Sequence, residues 1–135
     1  MQFRNEFYFL SNMYPCDLEI QGIHFSCAES EFQAMKCVHK DDVLALSKML
    51  GVDAKRYGRR VVLRDNWNAQ RVNAMRYVLN AKFKDPNLKA KLLATADLEL
   101  VEDNDWNDTF WGRCNGVGAN QLGKLLMELR DNLKS

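Results

Sequence analysis

The stretch from Asn107 to Leu129 reads NDTFWGRCNGVGANQLGKLLMEL and holds the densest set of side chains suited to chemistry. Asp108, Phe110, Trp111 and Arg113 place a carboxylate, two large aromatic faces and a guanidinium within a few residues. Behind them Gly116 and Gly118 precede a helical pattern in which Leu122, Leu125, Leu126 and Leu129 recur at helical spacing. Glycines ahead of a helix N-terminus let backbone N–H groups approach a ligand, and the helix dipole favours an anion there. An aromatic wall, an acid and an anion cradle suit a nucleotide or a ribose phosphate. The plainer alternative is that Gly116 and Gly118 are turn residues and Asn120 is the N-cap of the last helix. Two sharper motifs fail. A dinucleotide fingerprint needs glycine where Gln121 stands, and a phosphate-binding Walker loop needs Ser or Thr where Leu125 follows Gly123-Lys124.

A second group lies near the N-terminus. Glu29, Gln33 and Lys36 are spaced i, i+4, i+7 and share one helical face, beside an apolar stripe of Phe32, Met35 and Val38. Acid, amide and amine in one line are what a site that grips a sugar and moves protons uses. Ser26 to Glu29 also fits the S-x-x-E capping box, which by itself accounts for a glutamate there. Lys36 is equally read as a solvated lysine pairing with Glu29.

These groups must be held by one domain of 135 residues, ordinary in composition at 47% hydrophobic and 27% charged. A net charge of +1 gives no general attraction to nucleic acid. The basic run Lys55, Arg56, Arg59, Arg60 and Arg64 leaves room for a local phosphate site. No apolar run approaches membrane-spanning length and the N-terminus is too charged for a signal peptide, so a cytoplasmic setting and no membrane partner are expected. Cys16, Cys27, Cys37 and Cys114 form no CxxC pair, so neither a disulfide scaffold nor a zinc site is expected. Asp103, Asp105 and Asn107 open like a calcium loop, but Asp108 stands where glycine is required and Cys114 where glutamate belongs. His24 and His39 are too far apart in sequence to act as a ligand pair, and His24 belongs on the outer face of a hairpin.

The elements follow from local chemistry. Leu18, Ile20, Ile23 and Phe25 alternate about Gln21-Gly22 and predict a hairpin. The capping box predicts a helix from Ser26 to about His39. Asp41 or Asp42 opens a helix ending at Gly51, and a short helical turn from Asp53 to Tyr57 closes at Gly58. Val61 to Leu63 read as extended. Asp65 or Asn66 caps a long helix to about Phe83, with Ala74, Met75, Val78, Leu79 and Phe83 on its core side. Asp85-Pro86 opens a helix to about Thr95, and Leu98, Leu100 and Val101 suggest a brief strand. The class is α+β, predominantly helical, a single domain with a short N-terminal hairpin and a small strand component.

The ordered set of these pieces resembles the NADAR family, also called the YbiA-like N-glycosidases, over nearly the whole chain. It comprises Phe9-Leu10-Ser11-Asn12 with Tyr14-Pro15, Ala28 to Lys36, Gly58-Arg59, Arg64-Asp65-Asn66-Trp67, Met75 and Ala81-Lys82-Phe83. It continues with Leu93-Ala94-Thr95, Leu100-Val101-Glu102, Asp108 to Gly112 and Gly118 to Gly123. The chain departs from the family where a histidine and an aromatic commonly follow the helix glutamate; here Ser30 and Glu31 stand there.

The resemblance implies hydrolysis of the bond between C1 of a ribose and an amine nitrogen, without a metal or redox cofactor. Two substrate classes are associated with it: ribosylamino phosphate intermediates of riboflavin synthesis, and ADP-ribose attached to guanine, including guanine in nucleic acid. The leaving nitrogen needs a proton and the charge developing at C1 needs a carboxylate or covalent partner. Carried onto this chain, Glu29 and Asp108 become the candidate carboxylates and Lys36 a candidate amine nucleophile. Trp111 and Phe110 become the stacking surface. Arg59 or Arg64, with backbone N–H groups from Gly118 to Asn120, become the phosphate site. Asn12, Gln33 and Gly112 join the substrate-binding set, while Trp67 is assigned to the core. An alternative from another class is a module that binds ADP-ribose or a related nucleotide without cleaving it.

Overall fold

The computed structural model describes residues 1–134. Its backbone contacts gather into two compact units, one built from Asn12–Lys82 and the other from Met1–Ser11 with Phe83 onward. No helix among the described residues is long and apolar enough to cross a membrane.

The first unit begins with the hairpin of β1 (Pro15–Ile20) and β2 (Ile23–Cys27), antiparallel, with Leu18 opposite Phe25 and Ile20 opposite Ile23. Gln21 and Gly22 turn it with φ of 50° and 84°, a left-handed pair that matches strand twist. His24 faces out as expected, within bonding distance of Asp17 (2.9 Å) and Glu19 (3.2 Å), and the Asp17 bond raises its pKa.

The chain passes directly from β2 into α1 (Ala28–Met35), and here the capping box fails. Strand β2 holds Ser26 and Cys27 extended, and the Ser26 hydroxyl donates to the Met49 carbonyl at 2.9 Å instead of to the helix. Helix α1 therefore starts at Ala28, with Cys27 as an N-cap that makes no side-chain bond, and it ends at Met35 rather than His39. Lys36 is its C-cap. Helix α2 (Lys40–Ser47) has no side-chain cap from Asp41 or Asp42, and Gly51 opens α3 (Gly51–Tyr57) instead of closing α2. Val61 to Leu63 join no strand; Leu63 makes one isolated bridge to Cys37. Helix α4 (Trp67–Lys82) buries Ala74, Met75, Val78 and Leu79, the core face read from its periodicity. The Trp67 and Phe32 ring centroids lie 5.4 Å apart, but Trp67 is only half-buried and does not join the core as expected, because it opens α4 at the edge of the unit.

In the second unit a 3-10 helix (Asn5–Leu10) buries Phe9 and Leu10. Helix α5 (Pro86–Ala94) is capped by Asp85, whose Oδ1 accepts from Asn87 N and Leu88 N at 2.8 and 3.1 Å. The strand anticipated at Leu98–Val101 is displaced: β3 (Asp103–Asn104) runs parallel to β4 (Arg113–Cys114). The amphipathic α6 (Gln121–Leu133) buries its leucine face, and its Arg130 donates to Thr95 Oγ1 and the Leu98 carbonyl at 2.9 and 2.8 Å.

Candidate functional site

Helix α1 buries its polar face. Glu29 is 8% exposed and Gln33 7%, and Gln33 Nε2 donates to Glu29 Oε1 at 2.8 Å. The backbone N–H of Glu29, an orphan of the first helical turn, donates to the Asn12 carbonyl at 2.9 Å. Asn12 is itself buried, and its Nδ2 donates to Met75 Sδ at 3.5 Å. Two acceptors in this group, Asn12 Oδ1 and Gln33 Oε1, are buried and have no hydrogen-bond partner among the described residues. Buried oxygens left open in this way are the exception in folded proteins and mark where a donor is expected to arrive.

Lys36 is half-buried at the end of the same face. Burial lowers its pKa from the ordinary 10.5, with Arg59 adding to the fall and Glu29 opposing it. Desolvation wins because it is the largest contribution. Arg59 is exposed. Arg64 serves the helix end, its N donating to the Lys36 carbonyl at 2.9 Å and its Nε to the Cys37 carbonyl at 3.2 Å. A cation on the last carbonyls complements the helix dipole, so Arg64 has a capping role whatever else it binds.

Gly58 shows what sequence reasoning missed. Its φ is −61°, an ordinary helical value, so no turn geometry demands glycine here. Space does: a Cβ on Gly58 would lie 2.0 Å from Gln33 Oε1 and 3.1 Å from the Ala54 carbonyl. The missing side chain lets Gln33 hold its bond to Glu29. The Gly58-Arg59 pair carried the signal, but only as part of a family pattern. Gly58→Ala is expected to destabilise the fold by about 1–3 kcal/mol through overpacking. Gln33→Ala in the same chain should relieve most of that loss. Urea unfolding of the single and double variants measures it, and equal stabilities for Gly58→Ala and the unaltered protein would dismiss the crowding.

The aromatic segment is built differently from expectation. Asp108 Oδ1 accepts from Phe110 N at 3.1 Å and Trp111 N at 2.9 Å, folding the segment into a tight side-chain-capped turn. Asn104 braces that turn, with Nδ2 donating to the Asp108 carbonyl and Oδ1 accepting from Asp108 N at 2.9 and 3.0 Å. Phe110 and Trp111 meet edge to face, centroids 4.8 Å apart. One oxygen of Asp108 is therefore committed to shaping the aromatic pair.

The anion cradle is already filled by the chain. Ala119 N, Asn120 N, Gln121 N and Leu122 N donate to the carbonyls of Thr109, Gly112, Phe110 and Trp111 at 2.8–3.2 Å. Gly118, at φ 147°, lies against the same segment, where a Cβ would fall 2.3 Å from the Gly112 carbonyl. Gly112 is buried too, and a Cβ there would fall 2.2 Å from the Glu102 carbonyl. Asn120, 1% exposed and left-handed, is the N-cap residue of α6 but makes no side-chain cap bond; its side chain accepts from Glu102 N and donates to the Leu100 carbonyl, both at 3.0 Å. Gly112, Gly118 and Asn120 thus lock the aromatic segment onto α6, and the N–H groups read as a phosphate cradle at 119–120 are spent. The local pattern was legible, but the competing acceptors arrive from residues 109–112.

The NADAR domain model matches residues 2–134, a run that passes through both units. The chain is 37% identical over 128 residues to N-glycosidase YbiA of Shigella boydii, covering 91% of this chain and 79% of that protein. It is 31% identical over 133 residues to N-glycosidase Npun_R5314 of Nostoc punctiforme, covering 93% and 85%. It is also 37% identical over 134 residues to Riboflavin biosynthesis protein VVA0006 of Vibrio vulnificus, 93% of this chain but 35% of that longer protein. The NMR structure of the Escherichia coli protein YbiA superposes with a TM-score of 0.87 at 34% identity, covering 99% of this chain and 84% of that one. With buried polar side chains on α1 and a match along almost its whole length, the chain belongs to the NADAR domain family.

Proposed function

We propose that this protein is an N-glycosidase that hydrolyses the bond between ribose C1 and an amine nitrogen, with Glu29 moving the proton and Lys36 attacking carbon. The observation that carries the reading is the buried face of α1, where Glu29 is held by Gln33 and Lys36 has a lowered pKa. The names of relatives matched over most of their length, N-glycosidase YbiA and Npun_R5314, support the bond class. The Vibrio relative's name supports ribosylamino phosphates of riboflavin synthesis as one substrate class. ADP-ribosylated guanine, free or in nucleic acid, is the second.

In the first step the bond from C1 to the ring oxygen breaks, that oxygen takes a proton and the glycosidic nitrogen gives one up, leaving an open-chain imine at C1. Neutral Lys36 adds to C1, the C1–N bond to the leaving amine breaks, and Glu29 delivers a proton to that nitrogen. Water then adds to C1 of the Lys36 imine, with Glu29 taking its proton; Glu29 returns a proton to Lys36 Nζ as the C1–Nζ bond breaks and the free aldose leaves. Asn12 Oδ1 and Gln33 Oε1 accept from sugar hydroxyls, and Arg59 draws a phosphate.

Borohydride added during turnover is expected to trap a secondary amine between the sugar and Lys36, visible by peptide mass spectrometry. Lys36→Arg keeps the charge yet should form no adduct and lose most turnover. An active Lys36→Arg enzyme with no trapped adduct returns the mechanism to direct attack by water. The substrate is decided by chromatography of ADP-ribosylated guanosine and of a ribosylamino-pyrimidine phosphate after incubation with the protein. Binding of either without consumption would replace the enzyme by the binding module.

A further inference from the structure

The α1 helix has a second face, and a cleft of about 430 Å³ lies behind it, wholly within the first unit. Ile20 and Ile23 close it from the hairpin end, Met35 and Val38 from α1 and its C-terminal extension, Val43 from α2, and Tyr77 from α4. Ala34 and Met35 lie on a different side of α1 from Glu29 and Gln33 by helical spacing, and Val38 lies beyond the helix end. The cleft is therefore separate from the polar face already described. Its volume is that of a small-molecule site, and its walls are largely apolar, as such sites are. Val38 and Tyr77, 54% and 53% exposed, leave large apolar surface open at its edge.

The charge of the cleft is one-sided. Lys40 and Arg64 line it, and no carboxylate does. Asp42, one turn along α2, is engaged by the Tyr57 hydroxyl at 2.7 Å and stays outside the lining. Arg64 is oriented before any ligand arrives, because its N and Nε are tied to the carbonyls of Lys36 and Cys37. A guanidinium held by one edge presents the other in fixed geometry, which suits a planar oxyanion. Cys37 also lines the cleft, but its thiol contacts the Gln33 carbonyl at 3.4 Å and burial pushes its pKa up to about 11, so it is a wall and not a nucleophile.

We propose that this cleft is a second ligand site, for a flat apolar ring system carrying one anionic group. The ring lies between the hairpin isoleucines and Val38, and the anion meets Arg64 and Lys40. Because Arg64 also ties down the Lys36 carbonyl, the site adjoins the catalytic helix without sharing its polar face.

The probe is 1-anilinonaphthalene-8-sulfonate, read by fluorescence, with neutral N-phenyl-1-naphthylamine as the uncharged control. The anionic probe should saturate one site per chain and bind roughly tenfold tighter than the neutral one, the worth of about one charge-assisted hydrogen bond. Val38→Glu, which puts a carboxylate into the wall at an exposed position, should weaken the anionic probe at least about tenfold, and Tyr77→Ala should weaken both probes. Turnover of the N-glycoside by Val38→Glu should stay within about twofold of the unaltered protein, and ribose 5-phosphate should not displace the probe. Unchanged probe binding in both variants, or equal affinity for the neutral probe, would overturn the site. Displacement by ribose 5-phosphate would merge the cleft with the substrate site. An absence of N-glycosidase turnover would sink the proposed function while leaving these binding results intact.

Discussion

Glu29→Gln should lower turnover 10²-fold or more, the scale expected when a general acid–base is removed. The amide can still accept from Gln33 Nε2, so the bond at 2.8 Å survives the change while the titrating proton and the charge are lost. Stability should move by less than about 1 kcal/mol, since the carboxylate serves no capping box: the Ser26 hydroxyl is engaged by Met49. Single-turnover kinetics alongside urea unfolding separates the two quantities. Near-normal turnover in a folded Glu29→Gln protein would remove Glu29 from the chemistry. A matched loss of stability would mean that its role is to hold α1 in place.

Glu31→Met should stabilise the protein, and more so at high pH. Glu31 is 0% exposed, and neither carboxyl oxygen has a hydrogen-bond partner among the described residues. Burial raises its pKa from 4.5 to about 7. The folded protein therefore binds a proton more tightly than the unfolded chain does. Its favourable contribution is complete below about pH 4.5 and is lost as pH rises through 7. Replacing the carboxyl with an apolar side chain of similar length removes that loss. The gain from Glu31→Met should be about 2 kcal/mol larger at pH 8 than at pH 5. Urea unfolding of both proteins at the two pH values measures it. A gain independent of pH would show that the carboxyl is already paired or hydrated in the folded state.

Glu31 also stands where the resemblance read from the sequence expects an aromatic. A second ionisable side chain is buried in the same unit. Lys82 is 1% exposed, lies 5.7 Å from the Tyr14 ring centroid, and is lowered to about 8 by burial. Two ionisable side chains thus sit inside the first unit at a cost that a purely apolar core would avoid.

Features whose partners lie within a few residues were determined by the sequence alone. Gln21-Gly22 specifies a left-handed turn, Asp85-Pro86 caps its own helix, and the leucines of α6 mark a buried face, because each rests on i to i+4 geometry. Glu29, Gln33 and Lys36 were legible as one face for the same reason. Tertiary structure decided who competes for a group that local rules had already assigned. Ser26 fits a capping box, yet strand pairing and the Met49 carbonyl claim it, so α1 begins later. Helix-forming residues run on to His39, yet the chain leaves the helix at Lys36, where Arg64 meets the open carbonyls. The glycines before α6 read as an anion cradle, yet carbonyls from 109–112 take the N–H groups. Gly58 closes α3 as read, yet its φ is helical and what demands glycine there is the space taken by the Gln33 amide. In each case the local signal names a hydrogen-bonding capacity. Only packing against residues distant in sequence determines which partner, with the better geometry and less water, satisfies it.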